Sequence, residues 1–130
     1  MSNTAVARLL RAARTAARHS YSPYSGFPVG AAVRTGRGRI YAGTNVENAS
    51  YGLTLCAERV AISRAVAAGD RDIRAVLVWT DTDEPTPPCG ACLQVIHEFG
   101  PGSTVILAGR TRTRTLRLRD LLPAGFSLKG

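Results

Sequence analysis

Lysine is nearly missing from this chain: Lys129 is the one lysine among 17 basic residues, and the other 16 are arginine. Acidic residues are few as well, 9 in all, which leaves a formal net charge of +8. No apolar run approaches the ~20 residues of a membrane-spanning helix, so helical transporters and channels are excluded and no membrane partner is expected. The stretch from Met1 to Arg18 lacks a signal-peptide apolar core, because Arg8, Arg11, Arg14 and Arg18 interrupt it. The expectation is a cytoplasmic protein. Cysteine is scarce and odd in number, 3 residues. A disulfide framework favours an even count, so these thiols point to metal or catalytic chemistry in a reducing compartment.

The positive charge raises nucleic-acid binding as a function. However, aromatics make up only 6% of the chain, and none is interleaved with the arginines as a stacking platform for bases. Arg8, Arg11, Arg14 and Arg18 fall on one stripe of a helix, opposite its apolar positions. Arg110, Arg112 and Arg114 fall at the tip of a hairpin. No nucleic-acid partner is expected.

What is present suits one soluble domain over residues 1–130, with 45% hydrophobic and 20% charged residues. Val6, Leu9, Leu10, Ala13 and Ala17 recur at helical spacing and predict a helix over 4–18, capped by Asn3 or Thr4. Val29–Val33 reads as a strand, residues 35–38 as a turn, and Ile40–Ala42 as the start of the returning strand. Residues 43–55 are polar and aperiodic, an ordered functional loop. A helix is predicted from Cys56 to Ala68, stopped by Gly69. The apolar run Ile73–Trp79 suits a strand buried on both faces. A second helix covers Cys89–Phe99, strands follow at 104–108 and 113–118, and residues 120–123 form a short terminal turn. The predicted fold class is α/β, a three-layer α/β/α arrangement around a mixed sheet of about five strands.

Two motifs carry chemistry, Cys56-Ala57-Glu58 and Pro88-Cys89-Gly90-Ala91-Cys92, each opening a helix. Cys89 and Cys92 are three apart and share one helical face, and Cys56 can complete a third corner. Helix N-termini favour anions, so thiolates there are stabilised. Three protein ligands leave a fourth position for water, the pattern of a catalytic rather than a structural zinc site. A fourth protein ligand would have to be His19 or His97. His97 lies five residues past Cys92, about 140° around the helix, and His19 has no ligand-like spacing. Glu58 stands beside the metal position but off the ligand face, where a carboxylate can move protons.

Along nearly its whole length the chain resembles the small homotetrameric zinc-dependent cytidine deaminases. The resemblance runs through residues 22–32, through Gly43-Thr44-Asn45-Val46-Glu47-Asn48-Ala49-Ser50-Tyr51 and on to Arg59. It takes in Pro88–Cys92 and ends at Leu121-Leu122-Pro123 with Phe126. It implies one Zn²⁺ per chain on Cys56, Cys89 and Cys92, with Glu58 as the catalytic proton carrier. The implied reaction turns cytidine or 2′-deoxycytidine into the uridine product and ammonia. The implied substrate-binding set is Phe27 on the pyrimidine ring, Asn45 and Glu47 on the ribose, with Glu47 on the 3′-hydroxyl, Val46 between them, and the Ala57 N–H on the base carbonyl. Ala49, Tyr51 and Phe126 would come from neighbouring subunits of a homotetramer with shared active sites. Arg59 would donate to the thiolates and offset the net −1 of three thiolates on Zn²⁺. One departure stands out. The family usually has arginine after its third cysteine, where this chain has Leu93. Either Arg59 then carries more of the compensation, or Arg64 substitutes.

Overall fold

A computed structural model describes residues 1–128. The chain runs α1 (Asn3–Ala17), β1 (Val29–Thr35), β2 (Ile40–Thr44), a single 3₁₀ turn (Tyr51–Leu53), α2 (Ala57–Ala67), β3 (Ile73–Thr80), α3 (Gly90–Phe99), β4 (Thr104–Ala108), β5 (Thr113–Arg117) and α4 (Leu118–Leu121). The sheet order is β2-β1-β3-β4-β5. Strand β1 is antiparallel to both β2 and β3, β4 is parallel to β3, and β5 is antiparallel to β4. Strands β2, β3 and β4 therefore share one direction. The mixed sheet, the helical layers and the element order are as the sequence predicts.

Both sheet faces are buried, and the period-2 alternation of the strands divides the core. On one face Ala32, Ala75, Leu77, Ile106 and Ala108 pack with Leu9 and Ala13 of α1. On the other, Ala31, Val33, Val76, Val78, Val105 and Leu107 meet Ala61, Ile62 and Ala65 of α2, Ile96 of α3 and Leu118 of α4. This is why 73–79 reads as a continuous apolar run. Edge strand β5 is largely exposed and carries Arg114 and Arg117, charges that discourage pairing with another edge.

Several boundaries differ from expectation. The N-cap of α1 is Ser2, whose hydroxyl accepts from the Ala5 N–H at 3.1 Å, not Asn3 or Thr4. Cys56 and Cys89 are the N-caps of α2 and α3 rather than their first helical residues. The polar stretch after residue 42 gives its first two residues to β2, and the terminal turn is a short helix. Gly43 is required by packing: a Cβ there would sit 2.5 Å from Ala61 N and 2.7 Å from Ala57 O. The missing side chain lets β2 lie against the first turns of α2.

Candidate metal centre and active site

Because β2 and β3 point the same way, the helices that follow them start at the same edge of the sheet. The N-termini of α2 and α3 thus converge at the carboxyl ends of the strands, where α/β sheets place ligands. Neither Cys56 nor Cys89 uses its side chain to cap its helix, so both sulfurs are free for other bonds. Cys92 is buried in the first turn of α3. The Cys56 and Cys89 sulfurs are 4.0 Å apart, those of Cys89 and Cys92 3.5 Å, and all three lie within 4.8 Å of one another. Zinc bound tetrahedrally with Zn–S bonds of ~2.3 Å holds its sulfurs ~3.8 Å apart. The observed spacings bracket that value, and a soft thiolate set suits zinc. These cysteines are positioned to bind one metal ion. His97 is not among them; its Nε2 meets Ser127 Oγ at 3.0 Å.

Electrostatics at the cluster follow from burial and from one guanidinium. Arg59 lies one turn after Cys56 and donates from Nη2 to Cys56 Sγ at 3.4 Å and to Thr54 O at 3.3 Å. Its Nε is buried without a partner, a donor left over beside the sulfurs. The Cys56 thiol is lowered to about 5, first by a hydrogen bond from Cys92 and then by Arg59. Cys92 is raised, because it gives that bond to Cys56, is buried, and faces the charges of Glu58 and Cys56. Glu58 is 4% exposed. Its carboxyl is raised above the usual range, first by burial and then by the Cys56 charge. Arg64 does not substitute at the thiolates: its Nη1 donates to Ala42 O at 2.6 Å. It is eight residues past Cys56, about 12 Å along the axis at 1.5 Å per residue. Leu93 is partly buried and packs against the core cluster that includes Ile96, so its position is a packing position.

A cavity of about 190 Å³ opens beside the sulfurs, lined by Asn45, Thr54, Cys56, Ala57, Glu58 and Cys89 among others. An adjoining recess of about 380 Å³ is walled by Tyr24, Ser25, Glu47, Tyr51 and Thr54. Thr54 borders both. Glu47 Oε1 accepts from the Tyr24 N–H at 2.9 Å and the Ser25 N–H at 3.1 Å, and Oε2 accepts from the Ser25 hydroxyl. These bonds, that of the Ser25 hydroxyl foremost, hold its carboxyl below the ordinary range.

The remaining residues singled out in the sequence divide between lining and scaffold. Asn45 is 8% exposed. Its Oδ1 accepts from Ser20 Oγ at 2.6 Å and the Val29 N–H at 3.0 Å, and its Nδ2 donates to Phe27 O at 2.9 Å. It thus ties the segment before β1 in place while lining the cavity. Val46 bridges Tyr21 on one side and Leu55 on the other, which stitches three connections together. It lies outside the lining of both recesses, as does Phe27, which is 40% exposed. Ala49, Tyr51 and Phe126 are exposed, Tyr51 at 74% and Phe126 at 65%. The Tyr51 ring meets Tyr24 edge-on, with centroids 5.9 Å apart. Sequence reasoning missed Thr54, Thr80 and Thr86 in the cavity wall. Their one signal is a hydroxyl closing an apolar strand at Thr80, which bonds to Thr82 at 2.8 Å.

The family model for the cytidine and deoxycytidylate deaminase zinc-binding region matches residues 4–108. The chain belongs to that deaminase family. The cytidine deaminase of Halalkalibacterium halodurans is 44% identical over 121 residues, 92% of each chain. The cytidine deaminase of Mycobacterium tuberculosis is 43% identical over 116 residues, 89% of this chain and 85% of that relative. The crystal structure of cytidine deaminase from Burkholderia pseudomallei matches this deaminase fold with a TM-score of 0.89 at 45% identity, covering 97% of this chain and 100% of that one.

Proposed function

We propose that this chain removes the C4 amine of cytidine and 2′-deoxycytidine by hydrolysis, in pyrimidine salvage. The observation that carries the reading is a buried carboxyl, Glu58, beside three cysteine sulfurs at metal-binding spacing, with Glu58, Cys56 and Cys89 on the wall of one cavity. Held by Cys56, Cys89 and Cys92, zinc would lower the pKa of a coordinated water toward about 7 and so supply a nucleophile at neutral pH. Glu58 takes a proton from the attacking water and delivers it to N3 of the base; it then takes the second proton from the new C4 hydroxyl and passes it to the amine, which leaves as ammonia as the C4 carbonyl forms. Its raised pKa brings it closer to working pH, which favours transfer in both directions. The N–H of Ala57 meets the base carbonyl. As the first residue of α2 it has no intrahelical acceptor of its own.

The deep cavity suits the base and the adjoining recess the ribose. In this reading Phe27 covers the ring, Asn45 and Glu47 hydrogen-bond the ribose, with Glu47 accepting from its 3′-hydroxyl, and Val46 braces the loops around them. A carboxylate there would repel a phosphate, which favours nucleosides over nucleotides and polynucleotides. Tyr24, Tyr51, Leu53, Leu55 and Phe126 are exposed, apolar side chains that contacts between copies would cover. The reading is a homotetramer in which Ala49, Tyr51 and Phe126 close the pockets of neighbouring copies. A single domain over 1–130 and a cytoplasmic location complete it; three free thiols suit a reducing compartment.

An absorbance assay on zinc-loaded protein with cytidine and 2′-deoxycytidine tests the reaction. Loss of the cytosine spectrum with release of ammonia is expected for both, and the ratio of rates gives the preference. No conversion with one zinc per chain bound would overturn the reading. Analytical ultracentrifugation should give about four times the 13.8 kDa of one chain.

A further inference from the structure

We infer that Gln94, backed by His97, is the positioning residue that sets where the Phe126 ring stands, and that it ties this position to the helix bearing Cys92. The inference rests on the shared-site deaminase reading above. Gln94 Nε2 donates to Phe126 O at 2.8 Å, and the Phe126 N–H donates to Gln94 Oε1 at 3.1 Å. One side-chain amide is thus matched to both backbone polar groups of one residue. Reversing the amide would set donor against donor and acceptor against acceptor, so the pairing has one orientation.

The flanking residues are held as well. Ser127 Oγ lies 3.0 Å from His97 Nε2. Gly125 lies so close over the imidazole that a Cβ would come within 2.6 Å of His97 Cγ. Gln94 and His97 are three apart and share a face of α3. Three consecutive tail residues are therefore fixed by two side chains of one helix, 28 or more positions away in sequence. Residues 123–128 lie in no helix or strand. Among the described residues the Phe126 ring has no aromatic partner, and it stays exposed. A held backbone under a free apolar ring is a preorganised contact: ordering of the tail is complete before anything meets the ring. Gln94 is two residues past Cys92, so the ring and the metal ligand are referenced to the same turn of α3.

The test is a double-mutant cycle on the zinc-loaded enzyme. Gln94→Ala should raise KM for cytidine by about tenfold, with a much smaller change in kcat and with zinc content unchanged. In a Phe126→Ala background the same change should add nothing. An unchanged KM in Q94A, or effects that simply add, would overturn the inference. If Q94A loses its fold, Gln94→Glu keeps the size, removes the donor to Phe126 O, and should shift KM in the same direction. Amide exchange at Phe126 separates the two readings. Protection in the wild type and its loss in Q94A are expected, and equal exchange in both overturns the clamp itself. An inactive or monomeric wild type overturns the shared-site reading and the catalytic half of this inference with it.

Discussion

Arg59 is, among the described residues, the only guanidinium that donates to a cysteine sulfur. Replacing it with methionine keeps the length of the stem and removes the charge and both hydrogen bonds. At the observed 3.4 Å, a full charge pair is worth about 5 kcal/mol at an effective dielectric of ~20 and about 1.2 kcal/mol in water. The guanidinium is partly solvated, so screening moves the loss toward the lower figure. We expect about 1.4–2.7 kcal/mol, a 10–100-fold fall in zinc affinity, the range found when a metal ligand loses its outer hydrogen bond. Competition with a chromophoric chelator gives the affinity, and far-UV circular dichroism checks the fold. Since Leu93 supplies no charge and Arg64 is turned to β2, the loss has no substitute. An affinity within threefold of wild type in a folded Arg59→Met protein would refute the argument and return Arg59 to a packing role at Thr54.

Glu58→Gln keeps the shape and removes the exchangeable proton, so turnover should fall by at least 10²–10⁴-fold while zinc content stays at one per chain; loss of zinc would show that the carboxylate serves the metal instead. Glu47 is held below the ordinary carboxylate range mainly by the Ser25 hydroxyl. Its grip on residues 24–25 is therefore complete above about pH 4.3 and fades as pH falls through the depressed folded value. Ser25→Ala should move the Glu47 midpoint upward in a carbon-detected NMR titration, and an unmoved midpoint would contradict that cause. Gly43→Ala forces a methyl against Ala57 O and Ala61 N. It should destabilise by about 1–3 kcal/mol in urea unfolding; wild-type stability would mean that α2 is free to shift.

The sheet was legible because its signals are local. The 73–79 run, the two cysteine motifs and the glycine stop at Gly69 each lie within a few residues, and the elements follow in the expected order with bounds shifted by one or two residues. The cap was expected at Asn3 or Thr4 and lies at Ser2, since the choice depends on where the chain enters the helix. The choice between Arg59 and Arg64 needed only helix geometry: three residues past Cys56 lies one turn away, and eight lies more than two. The Gln94–Phe126 pairing spans 32 positions with no periodicity to announce it. The threonines of the cavity wall come from separate segments whose meeting only the fold determines. Val46 and Asn45 were read as binding residues from a resemblance; Val46 bridges loops through its backbone and Asn45 through its side-chain amide, contacts between distant segments that a sequence does not display.

The alternation of residues along β3 and β4 has a consequence for how this protein can change. Val76, Val78, Val105 and Leu107 face the helices that present the cysteines, while Leu77, Ile106 and Ala108 face α1 alone. Neighbours in the sequence therefore answer to different demands, one set to the geometry of a reaction centre and the other only to the retention of a helix. The α1 side is where this protein can gain or lose stability, or exchange one apolar packing for another, without disturbing its chemistry. A slip of one residue in the pairing would exchange the two sets at a stroke, so the freedom of one face depends on the fixed register of the other.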